Sequence, residues 1–202
     1  MKTVAVVLAA GKSERMGQNK LLMKLSGKRL IFHIIEALVA SKVDEIIVVL
    51  GNKPWEIEDV LKAKLNRIKI VVNEEYEEGM TSSFKIGLKQ IEDADAALLV
   101  LGDQLILNPK LVNDMIEKME RNISKAFIVS PIHKGKRGHP VLFSKELFDE
   151  ILSLRKNMMI REVIHRHSDL LLTVKADRWT TRDIDTPKDF VMALRLLEEN
   201  LS

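Results

Sequence analysis

The chain has 202 residues, 46% of them hydrophobic and 30% charged, with a formal net charge of only +3. This suits one large domain over residues 1–202 with a substantial core, and charges of both signs interspersed along the chain exclude a polybasic nucleic-acid binder. With no cysteine there is no disulfide, thiolate chemistry or Cys-held metal, and with no apolar run of membrane-spanning length the expectation is a cytoplasmic protein with no membrane partner.

Thr3–Leu8 is an apolar run that reads as the first strand, and it empties into a loop carrying Gly11, Gly17, Lys12, Arg15 and Lys20. Glycine lets backbone N–H groups approach an anion, and the cations neutralise what the amides cannot, so the loop suits phosphate. A Walker A motif needs four residues between its glycines and then Lys-Ser/Thr; here five intervene and Gln18 follows. The dinucleotide fingerprint fails at Ser13, and nothing downstream reads as a kinase H-R-D or D-F-G. An ordinary basic surface turn remains the plain alternative.

The following elements alternate. Helices are expected at Leu30–Ala40, Glu56–Leu65, Ser82–Ile91 and Pro109–Arg121, between strands at Glu45–Leu50, Lys69–Val72, Ala96–Leu101 and Ala126–Ser130. Repeated β-then-α units with continuous Val/Ile/Leu strands predict an α/β fold, a mostly parallel sheet with helices on both faces. Pro140–Phe143 and Leu170–Lys175 read as short edge strands, Met158–Arg166 as an amphipathic helix, and Phe190–Asn200 as a closing helix after Pro187. In such sheets ligands bind beyond the carboxyl ends of the strands, where every notable polar cluster of this chain falls.

Asp103, ending the run AALLVLG, is either a magnesium ligand or a loop Asp that caps a helix or closes a turn. Thr81 and Ser82 are placed to cap the helix they open. In Arg182-Asp183-Ile184-Asp185-Thr186-Pro187, Thr186 reads as a helix cap, while alternation puts Asp183 and Asp185 on one side of an extended segment. His139 reads as a loop polar residue, and the other histidines show no metal-like pairing.

The motif LAAGKSERMGQNKLL is similar to the opening signature of the molybdenum-cofactor nucleotidyltransferase family. LGDQ, NEEYEEGMTSSFKIGL, RGHPVLF and DIDTPKD resemble that family's later segments, although Leu105 stands where the family has proline. The resemblance implies a single-domain Rossmann-like, GT-A-like fold. It implies that Leu8, Ala9, Ala10, Gly11, Lys12, Ser13 and Arg15 wrap a triphosphate, with Lys20 reaching it from the far end of the loop. Asn73 and Ser82 would lie near base and ribose, with Gly79 letting the chain pass close.

By the same resemblance, Asp103 and one carboxylate of the DIDTPKD segment would hold Mg²⁺, with Asp185 favoured and Asp183 the alternative. Gly138, His139 and Pro140 would position the acceptor. Met158-Met159-Ile160-Arg161 keeps only the arginine of a triplet usual in relatives. The implied reaction is in-line attack by an acceptor's terminal phosphate on the α-phosphorus, with release of pyrophosphate. Lys20, Arg15 and Lys12 would offset the charge building there.

Ala10 matches the cytidylyl branch, and its methyl is expected to leave less room for a purine, so CTP and molybdopterin are the expected substrates and a target molybdoenzyme a possible partner. The rival readings are a transferase for sugar or polyol phosphates and a non-catalytic nucleotide-binding protein that delivers cofactor.

Overall fold

The computed structural model describes residues 1–62, 68–104, 106–122 and 125–199. In chain order the elements are β1 (Thr3–Ala9), β2 (Lys24–Leu25), β3 (Lys28–Arg29), α1 (Leu30–Val39), β4 (Glu45–Leu50), α2 (Pro54–Leu61), β5 (Ile68–Val72), α3 (Met80–Leu88), β6 (Ala96–Leu101) and α4 (Pro109–Glu120). They continue with β7 (Ile128–His133), β8 (Lys136–Arg137), β9 (Val141–Ser144), α5 (Phe148–Ser153), α6 (Ile160–Arg166), β10 (Leu171–Lys175) and α7 (Pro187–Glu199). The main sheet runs β10-β7-β9-β6-β1-β4-β5, with β8 paired to β7; β2 and β3 form a separate ribbon. This is the expected α/β, Rossmann-like architecture.

Strand pairs β6–β1, β1–β4, β4–β5 and β10–β7 are parallel. β1 lies mid-sheet and is apolar on both sides, as a run of Val and Ala without alternation requires. Ala5, Val7 and Ala9 join a core with α1, α2 and α4 on one face, while Val4 and Val6 join another with Phe84 and Leu88 of α3. Each fully buried Val, Leu, Ile or Phe contributes ~1.5–3 kcal/mol. Gly87 lets α3 settle on the sheet, since a Cβ there would overlap Val6.

The structure corrects one strand. Pro140–Phe143 was expected at an edge, but β9 is interior, antiparallel to both β6 and β7. Val141, Leu142, Phe143 and Ser144 are all buried, and Phe143 packs on Phe84 with ring centroids 5.6 Å apart. A short apolar run carries no mark of direction or neighbours. The helix at Phe148–Ser153 was not anticipated either. Helix α2 starts earlier than expected because Pro54 takes its first turn; the expected end at Leu65 lies outside the described residues.

Candidate functional site

The parallel strands bring their carboxyl ends to one rim, and cross-links between successive loops fix it. Gly102 N–H donates to Leu8 O (3.0 Å), Asn52 N–H to Ala10 O (3.2 Å) and Asn73 N–H to Leu50 O (2.8 Å). Along this rim lies a cleft of about 530 Å³, lined by Leu8, Ala9, Gly11, Lys12, Ser13, Glu14, Arg15, Lys20, Leu21, Tyr76, Glu77, Asp103 and Asp185. Its size falls within the range of small-molecule sites.

The glycine loop is shaped by left-handed residues, Ser13 at φ 54° and Gly17 at φ 68°. Ser13 Oγ accepts from the Lys20 N–H (3.2 Å), and Asn19 Oδ1 caps the following turn through the Leu21 N–H (3.2 Å). Leu21 is buried beneath that turn. The backbone of Lys20 is therefore fixed, and its side chain reaches into the cleft.

There Lys20 Nζ pairs with Asp103 and, at 3.0 Å, with Asp185 Oδ1; Arg15 binds the other oxygen of Asp185 at 2.9 Å. Burial opposes the Lys20 charge, but the two carboxylates outweigh it and raise its pKa above the usual lysine value. Burial likewise works against the Asp185 charge, yet Lys20 and Arg15 hold its pKa below the usual value. Backbone pairing sets this meeting: Gln104 bridges Asp183 in antiparallel fashion, and Ile184 N–H donates to Asp103 O (3.0 Å).

Asp183 sits at the same junction, open to solvent on one side. The protein packed around it, and then the charges of Asp103 and Asp185, raise its pKa to about 6. Downstream, Thr186 Oγ accepts from the Asp189 N–H (3.3 Å), while Asp189 Oδ2 accepts from the N–H of Thr186 (2.7 Å) and of Asp185 (3.2 Å). The expected cap at the start of α7 thus also orients Asp185.

Two carboxylates converging on a lysine ammonium offer hard oxygen donors where a cation is already held, which fits a magnesium-type ion. Among the described residues no group of three or more His, Asp or Glu is placed to hold a metal.

Other expected contacts lie elsewhere. Asn73, Gly79 and Ser82 are off the cleft: Asn73 Nδ2 donates to Ser82 Oγ (2.9 Å) and Ser83 Oγ (3.0 Å), and Ser82 Oγ donates back to Gly79 O (3.0 Å). These polar groups are spent on holding the β5–α3 loop. Thr81 and Ser82 do not cap α3 either; Gly79 occupies that position at φ 97°, and Thr81 Oγ accepts from the Ile160 N–H (3.2 Å). Ala10 does not line the cleft. Its methyl packs against Gly51, where an added Cβ would come within 2.7 Å of it, so the expected exclusion of a purine by that methyl has no support in the packing. Leu105 lies outside the described residues.

A second, more apolar cavity of about 260 Å³ is lined by Met80, Leu99, Ser130, Arg137, Gly138, His139, Val141, Phe143, Ile160, Arg161 and Ile164. Gly138 and His139 face it, while Pro140 is buried behind. Gly138 is needed for close approach, since a Cβ would overlap the carbonyl oxygen of Thr180, which also accepts from the His139 N–H (2.8 Å). Burial lowers the His139 pKa, with Asp103 acting the other way. Gln104, fully buried, donates to His139 O (3.0 Å) and so ties the segment after β6 to the loop facing this cavity.

Sequence reasoning missed Tyr76 and Glu77, which front the cleft and receive Lys12; the Lys12–Glu77 ion pair spans 2.6 Å. A lone aromatic in the loop after β5 was the available signal.

Residues 5–170 match the MobA-like NTP transferase domain family. The chain is 28% identical over 204 residues to the purine catabolism protein PucB of Bacillus subtilis, covering 96% of this chain and 97% of that protein. It is 28% identical over 189 residues to the molybdenum cofactor cytidylyltransferase of Escherichia coli, covering 93% of each. The solved structure of a nucleotidyl transferase from Methanothermobacter superposes with a TM-score of 0.83 at 22% identity, covering 98% of this chain and 99% of that one; this likeness bears on the fold alone.

Proposed function

Since this chain belongs to the MobA-like NTP transferase domain family and is a nucleotidyltransferase, we propose that it transfers CMP from CTP to the terminal phosphate of molybdopterin and releases pyrophosphate. The observation that carries this reading is the meeting of Asp103 and Asp185 at Lys20, in the cleft edged by the glycine loop. The likeness to the cytidylyltransferase of Escherichia coli over nearly its whole length supports the choice of nucleotide and acceptor.

In this reading the glycine loop, Lys12 and Arg15 bind the triphosphate, and Lys20 neutralises charge on the departing pyrophosphate. Asp103 and Asp185 would hold Mg²⁺, which when bound supplies Lewis acidity and a template for the phosphates. The acceptor phosphate is already anionic at neutral pH, so alignment and charge neutralisation are the protein's main contributions and no general base is needed. The cavity fronted by Gly138 and His139 would seat the acceptor, with Arg137 and Arg161 as its cations.

The test is pyrophosphate release by the purified chain with Mg²⁺ and molybdopterin, supplied with CTP or GTP. Release with CTP well above GTP supports the proposal. Faster turnover of GTP, or turnover only with phosphorylated sugars, overturns the substrate assignment; nucleotide binding without pyrophosphate release overturns catalysis.

A further inference from the structure

The carboxylate pair in the cleft already has its cation. Lys20 Nζ contacts Asp103 and lies 3.0 Å from Asp185 Oδ1, while Arg15 holds Asp185 Oδ2 at 2.9 Å. Both oxygens of Asp185 are thus engaged, and a divalent ion bridging the two carboxylates has to compete with the Lys20 ammonium for them. The Lys20 side chain is only 12% exposed, whereas Arg15 is 67% exposed, so Lys20 is the shielded and stronger partner.

We propose that Lys20 is the resident cation of the Asp103–Asp185 pair, and that a divalent ion enters only together with a nucleoside triphosphate that draws Lys20 away. This rests on the nucleotidyl-transfer reading for the identity of the ligand. The exchange needs side-chain rotation alone, because Ser13, Asn19 and buried Leu21 pin the backbone of the turn. A triphosphate supplies the charge that releases the ammonium group, and its oxygens complete a coordination shell that two carboxylates leave short. The chain would therefore take its substrate as a metal–nucleotide chelate and hold little metal when empty. The lysine keeps the paired carboxylates from repelling each other in the interval.

Mn²⁺ binding measured by electron paramagnetic resonance tests this without turnover. Without nucleotide, Lys20→Met should bind Mn²⁺ at least about tenfold more tightly than the native chain, equivalent to about 1.4 kcal/mol. CTP should strengthen Mn²⁺ binding more in the native chain than in the variant. Equal or weaker Mn²⁺ binding by Lys20→Met overturns the proposal.

If the variant fails to fold, the ammonium resonance of Lys20 in the native chain decides. It should stay in place with millimolar Mg²⁺ alone and move on adding CTP with Mg²⁺; movement with Mg²⁺ alone overturns the proposal. Failure of pyrophosphate release would leave these binding results standing, so the two readings fail separately.

Discussion

The side-chain N–H of Gln104 reaches the carbonyl oxygen of His139 at 3.0 Å, inside the protein, and ties the strand end carrying Asp103 to the loop facing the second cavity. Gln104→Met keeps the volume and removes the donor. Leaving the His139 carbonyl unpaired costs about 1–3 kcal/mol. Removing the Gln104 Oε1, which is buried without a partner, offsets part of it, so a net destabilisation below that range is expected. If the bond also positions the acceptor loop, the KM for the acceptor should rise more than that for CTP. Urea unfolding and steady-state kinetics measure the two effects.

Asp103→Asn and Asp185→Asn should each slow pyrophosphate release by roughly a hundredfold, the scale of losing one preorganised electrostatic group. Asp183→Asn should cost far less, because Lys20 contacts Asp103 and Asp185 and makes no ion pair with Asp183. Rates measured side by side on folded proteins check this; an Asp183→Asn loss as large as the other two would reassign the ligand.

Gly138→Ala should be among the costliest single-methyl additions in the chain. The new Cβ would run into backbone at Thr180 rather than into a side chain able to rotate. A loss of about 1–3 kcal/mol is expected, the range for overpacking, with displacement of the His139 loop. Differential scanning calorimetry and the acceptor KM would register it.

Asp95 gives a pH dependence of defined sign. Its carboxylate accepts from the Lys2 N–H at 2.8 Å and lies 3.6 Å from Lys145 Nζ, and its pKa is lowered first by that backbone bond and then, against burial, by Lys145. A depressed carboxylate pKa stabilises the fold above the unfolded value of about 3.9, and the gain disappears as pH falls through the lower folded value. Asp95→Asn should therefore be less stable than the native chain at pH 7, with the gap closing below about pH 4. Denaturant titrations across that range would show whether the curves converge.

The first strand, the glycine loop and the alternation into parallel strands could be read in advance because each is a local pattern. The β6 end at Asp103 was equally plain. What could not be read locally was who meets whom. Asp103 and Asp185 come together through the Gln104–Asp183 bridge, a pairing between segments 79 residues apart, so only family resemblance anticipated it. Asn73 and Ser82 were expected near base and ribose; the structure shows them bonded to each other, a pairing that spacing alone does not reveal. The short run at Val141–Ser144 carried no sign that it belonged between β6 and β7.

The orientation of β9 has a further effect. Its first residue, Val141, pairs with Leu99 near the finish of β6, so this strand departs from the rim at which β1, β4, β5 and β6 arrive. Gly138 and His139 stand at the ligand side by preceding a strand, whereas Gly11 and Asp103 stand there by following one. Two independent stretches of chain thus line the two cavities. Lengthening or recomposing the turn upstream of β9 would reshape the cavity that Gly138 and His139 face, leaving the glycine loop downstream of β1 untouched.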